Sequence, residues 1–141
     1  MTNVAIISGV GPDQGMGAQL ARRFAGAGLH VFVTGRTGAS LDAVATGIRR
    51  DGGLITAVVA DATDEQATVA LFAEARALGR IDLVIYNTGA NTPGRFEDMS
   101  ADFFAARRRG CCCGGCPPRR APIRHMHRGR GGALLCPRPR V

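Results

Sequence analysis

The stretch Ser8–Gly17, SGVGPDQGMG, constrains the fold more than any other part of the chain. It follows a short apolar run, Val4–Ile7, and opens into a stretch of helical character, Ala18–Ala25. Strand, glycine-rich turn and helix, in that order, are the setting in which a glycine pattern points to a dinucleotide-binding turn. In Gly11-x-x-x-Gly15-x-Gly17 each glycine has a physical task. Gly11 is expected to take a backbone angle that a β-carbon would forbid. Gly15 lets the main chain approach a pyrophosphate, and Gly17 lets the helix lie close on the sheet. Met16 and its neighbours supply N–H groups at the helix start, where the helix dipole favours phosphate. Gly9 precedes this set and leaves two registers for the turn. Taken alone, the stretch reads equally as a flexible strand-to-helix turn.

The rest of the first hundred residues alternates between two periods. Val4–Ile7 is apolar throughout, as a strand buried on both faces requires. The helix from Ala18 puts Leu20, Ala21, Phe24 and Ala25 on one side, with Gly26 or Gly28 to end it. Leu29–Thr34 reads as a second buried strand. Ser40 is the expected N-cap of the next helix, whose stripe is Leu41, Val44, Ala45 and Ile48. Leu54–Ala60 is the third strand. Thr63 with Gln66 forms a possible capping box, or Asp64 caps one residue later, and that helix runs to Leu78 before Gly79. Ile81–Tyr86 is the fourth strand, and Ser100 starts a helix containing Phe103 and Phe104. Strands alternating with amphipathic helices predict a parallel sheet with right-handed crossovers, in the order 3-2-1-4.

In such a sheet a ligand sits outside the carboxyl ends of the strands, where the strand order reverses. After the second strand come Gly35 and Arg36. Gly35 gives room, and Arg36 gives a forked donor for a 2′-phosphate that can also stack on adenine. This favours NADP(H) over NAD(H), against the plainer reading of Arg36 as a solvated loop arginine. After the third strand, Asp61 can accept from the adenine amino group with the Ala62 N–H assisting, or can simply cap the strand end. After the fourth, Asn87 can tie neighbouring strands by side-chain hydrogen bonds, and Gly89 leaves space for the nicotinamide-side ribose.

With these residues in place, residues 1–104 resemble the N-terminal half of a short-chain dehydrogenase/reductase. The motifs that carry the likeness are the glycine turn at 11–17, Gly35-Arg36, Asp61-Ala62 and Tyr86-Asn87-Thr88-Gly89, and Pro93–Phe104 resembles the approach to the family's fourth helix. The family's usual last motif is Asn-Asn-Ala-Gly, so Tyr86 and Thr88 depart from it. The resemblance implies an α/β, Rossmann-type doubly wound sheet, incomplete at about four strands, and an NAD(P)-dependent oxidoreductase. It also implies a catalytic serine, a Tyr-x-x-x-Lys pair and a fourth-helix asparagine, and none has a counterpart here. The single tyrosine is Tyr86, there is no lysine, the serines are Ser8, Ser40 and Ser100, and the asparagines are Asn3, Asn87 and Asn91. Removing a positioned general acid lowers a rate by about 10²- to 10⁴-fold. No catalytic residue is therefore assigned, and residues 1–105 are read as a cofactor-binding half-domain without carbonyl-reducing activity.

Residues 106–141 have no helical or strand period. The net charge of +7 belongs to this tail, because all eleven acidic residues lie at or before Asp102 while ten of the eighteen arginines lie beyond residue 106. Its Arg, Gly, Pro and Cys composition suggests a G/C-rich gene read out of frame from about residue 106, or a truncated relative with a basic tail. Disorder is expected there. Cys113-x-x-Cys116 and His125-x-His127 do not have finger-type spacing, and the adjacent cysteines 111–113 cannot converge on one ion, so no metal site is assigned. The arginines lack interleaved aromatics, and nucleic-acid binding would be nonspecific and salt-sensitive. A noncatalytic dinucleotide-binding or interaction module with such a tail is the alternative reading. No leader or bilayer-length apolar run is present, which predicts a cytoplasmic protein with reduced thiols. The fourth strand is expected to expose an unpaired edge, and the broken fourth helix argues against oligomerisation.

Overall fold

The computed structural model describes residues 2–88, 96–98, 100–108 and 133–135. The chain forms β1 (Thr2–Ser8), α1 (Met16–Gly26), β2 (His30–Gly35), α2 (Gly38–Arg50), β3 (Ile55–Val59), α3 (Glu65–Leu78), β4 (Gly79–Tyr86), a 3-10 turn (Phe96–Asp98), α4 (Ala101–Arg108) and β5 (Ala133–Leu135). All pairings are parallel, and the sheet order is β3-β2-β1-β4-β5. The expected order 3-2-1-4 is therefore present, with one strand added.

The central strands are apolar on both faces because both faces are covered. Ala5, Ile7, Val31 and Val33 point into a core shared with α1 and α2, which contribute Ala18, Ala21, Leu41, Val44 and Ile48. Their sequence neighbours Val4, Ile6 and Phe32 point the other way, against Leu71, Phe72 and Ala75 of α3. The period of two along each strand thus feeds two separate cores. In α1 the buried positions are Gly17, Ala18, Ala21 and Ala25, while Leu20 and Phe24 are only half-buried against the same core. Small residues on that stripe bring the helix axis close to the sheet.

Several boundaries differ from expectation for local reasons. Thr37, not Ser40, precedes α2, and Ser40 lies within the helix. Asp64 caps α3, its carboxylate accepting from Gln66 N at 2.9 Å and Ala67 N at 3.1 Å. Gly79 both ends α3 and begins β4, so β4 starts two residues earlier than its apolar run. Ser100 begins α4 as expected, its hydroxyl accepting from Phe103 N at 3.2 Å.

The tail does not leave the β4 edge open. Ala133–Leu135 pairs with β4 in the register Leu83↔Ala133, Val84↔Leu134 and Ile85↔Leu135. Three consecutive apolar residues suffice for this, because an exposed strand edge offers unpaired N–H and C=O groups to any extended segment within reach. The absence of a long period concealed a strand too short to show one. Nothing else of the tail beyond Arg108 lies within the described residues.

Candidate functional site

Ser8, Thr34 and Tyr86 lie side by side at one rim, since Ser8 pairs with Thr34 on β2 and with Tyr86 on β4. The rim is the carboxyl edge of a parallel sheet. β2 lies beside β1 on one side and β5 beside β4 on the other, so the strand order reverses between β1 and β4, the place of the crevice where ligands bind in such sheets.

The turn after β1 is built on Gly9. It has φ +86°, whereas Gly11 has no positive φ and open space around its α-carbon. The left-handed position expected at Gly11 is therefore two residues earlier. Gly9 N and Val10 N both donate to Thr34 O, at 3.0 and 2.8 Å, which bends the chain over the end of β2. A β-carbon on Gly9 would lie 2.7 Å from both the N and the Cα of Thr88, so no other residue fits there. Sequence inspection placed Gly9 outside the glycine set. Its signal was that it directly follows the last residue of β1, where the chain must turn.

Gly15 caps α1 with extended backbone, φ −71° and ψ 161°, and has no side chain with which to cap it. Its N–H donates to Pro12 O at 2.8 Å, and its carbonyl accepts from Gln19 N at 3.1 Å. Met16 is the first helical residue and is exposed, and Gly17 is buried behind it. No acidic residue occupies the first turn. The contrast with α3 is informative, because there Asp64 fills the same positions with its own carboxylate. Among the described residues no side chain caps the α1 terminus by hydrogen bond, and free N–H groups at a helix start favour an anion. Arg22 steadies the loop before it, forming an ion pair with the Asp13 carboxylate and donating from Nη1 to Asp13 O at 2.8 Å.

Asn87 joins the two sides of the crevice. Its backbone N donates to Ser8 O at 2.8 Å, and its Nδ2 donates to Gly9 O at 3.1 Å. A β-carbon on Gly17 would sit 3.1 Å from that Nδ2 and from Val10 Cα. The helix, the turn and the end of the fourth strand therefore meet at Gly17, where a methyl group would press on all three.

On the β2–β3 side, a β-carbon on Gly35 would collide with the Val10 carbonyl oxygen, and Gly35 O accepts from Ala60 N at 3.0 Å. Its space is used by the chain's own turn rather than held open for a ligand. Arg36 is exposed just beyond, and among the described residues it makes no hydrogen bond or ion pair. Asp61 accepts from Thr63 N at 2.8 Å and from Thr63 Oγ1 at 2.7 Å. These two donors, Thr63 N–H first, hold its carboxyl below the usual 3.8, with the positive charge of Arg36 adding to them against a small desolvation effect. Asp61 thus organises the turn before α3 and carries its charge near Arg36. Ala62 is half-buried and lines, with Ser8, Thr34, Asp61, Thr68 and Tyr86, a cleft between the strand ends and α3. Gly89 lies outside the described residues.

Tyr86 is buried on β4 and faces this cleft. Among the described residues no group of three or more His, Cys, Asp or Glu side chains could hold a metal ion. No helix among them is long and apolar enough to cross a membrane.

Comparison with known proteins extends the likeness along the chain. The family model described as "short chain dehydrogenase" matches residues 3–134, which carries it past Phe104 and into β5. An uncharacterized oxidoreductase of Mycobacterium tuberculosis is 39% identical over 107 residues, covering 72% of this chain and 40% of that protein. The 7alpha-hydroxysteroid dehydrogenase of Escherichia coli K12 is 37% identical over 101 residues, covering 70% and 38%. Among solved structures, a hydroxysteroid dehydrogenase from Escherichia coli superposes with TM-score 0.83 at 29% identity, covering 94% of this chain and 55% of that one. A short-chain dehydrogenase from Rhodopseudomonas palustris gives TM-score 0.80 at 30% identity, covering 92% and 60%. The chain spans about 40% of the length of the curated relatives it matches.

Proposed function

Because the chain belongs to the short-chain dehydrogenase family of oxidoreductases, whose members bind a nicotinamide dinucleotide, we propose that residues 1–105 bind NADP(H) in preference to NAD(H) and perform no hydride-transfer catalysis by themselves. The observation that carries this reading is the uncapped start of α1, placed at the carboxyl rim and closed against Asn87 through Gly17. The N–H groups of Met16, Gly17 and Ala18 suit the diphosphate, and the glycine cradle admits it without displacing a side chain. Arg36 suits a 2′-phosphate because it is exposed, uncommitted to any hydrogen bond among the described residues, and at the end of β2. The Ala62 N–H and the Asp61 carboxylate lie where the adenine would be read.

When bound, the nicotinamide supplies the hydride. The described residues bind and orient it, and the sequence supplies no Tyr-x-x-x-Lys pair to stand beside it. Tyr86, the one phenol in the sequence, is buried on β4 and lines the cleft against α3, and the sequence holds no lysine to form a Tyr-x-x-x-Lys pair with it. The activity and substrate of the relatives are thus not supported by the residues present, whereas cofactor retention is.

The test is fluorescence titration of the full chain with NADPH and with NADH. NADPH is expected to bind saturably and more tightly than NADH, and Arg36→Ala is expected to abolish most of that difference. Equal affinity for the two cofactors, unchanged by Arg36→Ala, would overturn the NADP(H) assignment.

A further inference from the structure

Thr88 is the second departure from the family's usual last motif, and its hydroxyl is the anomaly at the rim. Thr88 Oγ1 is buried, and among the described residues it has no hydrogen-bond partner. Every other described side-chain oxygen or nitrogen buried to that degree is satisfied. A buried hydroxyl without a partner destabilises the fold that holds it, and the alanine usual at this position would avoid the defect.

Its location suggests what completes it. Thr88 follows Asn87 at the carboxyl end of β4, and its main chain lies directly against Gly9. It is therefore on the β4 side of the crevice, opposite Arg36 and Asp61 on the β2–β3 side, with the α1 terminus between. A dinucleotide whose diphosphate rests on α1 and whose adenosine half lies over β2 and β3 places its other ribose on the β4 side. The residue as a whole is only half-buried. A threonine hydroxyl changes direction by rotation between staggered χ1 wells, and so can turn to meet a ligand at this half-buried position.

We infer that Thr88 is a positioning residue for the nicotinamide half of the cofactor, its hydroxyl lacking a partner in the free protein and hydrogen-bonded to the nicotinamide-side ribose in the complex. This rests on the dinucleotide-binding reading above and adds a determinant that an alanine cannot provide. Threonine can donate to, or accept from, a ribose hydroxyl.

The experiment measures affinities of the full chain for NADPH and for 2′,5′-ADP, which lacks the nicotinamide ribose, together with the Tm of the free protein. Thr88→Val keeps the shape and removes the hydroxyl. It is expected to weaken NADPH binding roughly three- to tenfold, leave 2′,5′-ADP unchanged, and raise the Tm of the free protein. Thr88→Ser should restore NADPH affinity. Arg36→Ala should show the other pattern, weakening both ligands. The inference is overturned if Thr88→Val lowers the Tm, which would reveal an internal partner, or weakens both ligands equally, or leaves NADPH affinity intact. If the unaltered chain binds neither ligand, the dinucleotide-binding reading fails and this one with it. If it binds both with only Arg36 mattering, the Thr88 assignment alone is lost.

Discussion

Gly17→Ala offers the sharpest test of how the candidate site is built. An ideal β-carbon there would lie 3.1 Å from Asn87 Nδ2, 3.1 Å from Val10 Cα and 3.2 Å from Gly9 O. All three are inside ordinary van der Waals contact, and two of them are backbone atoms of the turn. Relief requires α1 to move outward or Asn87 to withdraw, and withdrawal breaks its 3.1 Å bond to Gly9 O. Overpacking of this kind costs about 1–3 kcal/mol, and a lost hydrogen bond adds about 0.5–1.5 kcal/mol. Against this, alanine gains about 1 kcal/mol over glycine within a helix. The net expectation is a loss of about 1–3 kcal/mol, which for a chain of this size lowers the Tm by about 3–12 °C. Gly26→Ala is the matched control, because Gly26 belongs to the same helix and has nothing within 4 Å of its would-be β-carbon. It should leave the Tm unchanged or raise it by a few degrees. Thermal unfolding followed by circular dichroism compares the two directly. A Gly17→Ala protein as stable as the Gly26→Ala protein would refute the three-way contact on which the site depends.

Other perturbations check separate parts of the structure. Asp64→Ala removes the acceptor for two α3 amides and should cost about 0.5–2 kcal/mol in denaturant unfolding. Thr63→Val removes one of the two donors that lower the Asp61 pKa, so its carboxyl titration followed by NMR should shift upward toward 3.8. Because the folded-state pKa of Asp61 is the depressed one, its contribution to stability is full above 3.8 and disappears as pH falls through the native value. His30 behaves differently: its ring Nε2 lies 2.8 Å from Thr56 Oγ1, and burial holds its pKa below 6.5. Its protonation is easier in the unfolded chain, so stability should fall as pH drops below 6.5 and level off below the native pKa. His30→Gln should remove that part of the slope in urea titrations at pH 7.5, 6 and 5.

Much of the fold could be read from local pattern. The runs Val4–Ile7 and Leu29–Thr34 carry the doubly covered strands, and the stripe Leu41, Val44, Ala45, Ile48 marks the buried face of α2. These follow from hydrophobic period, which is a property of consecutive residues and survives without knowledge of partners. The choice between Thr63 and Asp64 as cap, and between Ser40 and Thr37, depended on where the first helical turn settles against the sheet, and pattern left it open or misplaced it. The same limit applies at the site. Following each strand end points to Arg36, Asp61 and Asn87 as candidates, but that the Asp61 carboxylate accepts from Thr63 belongs to turn geometry.

What the sequence by itself determined is the alternation of strands and helices, the presence of a glycine turn at the first strand end, and the lack of a Tyr-x-x-x-Lys pair. What only the tertiary structure decided is which glycine does which work. Gly9 takes the left-handed angle assigned to Gly11 because the chain must pass Thr88 there, and Gly17 is closed by Asn87, whose hydrogen bond to Gly9 spans 78 positions. The strand at Ala133–Leu135 was decided in the same way, by an edge far from it in sequence. Period and capping are encoded by neighbours along the chain, whereas close approach between distant segments exists only once the sheet has set their register.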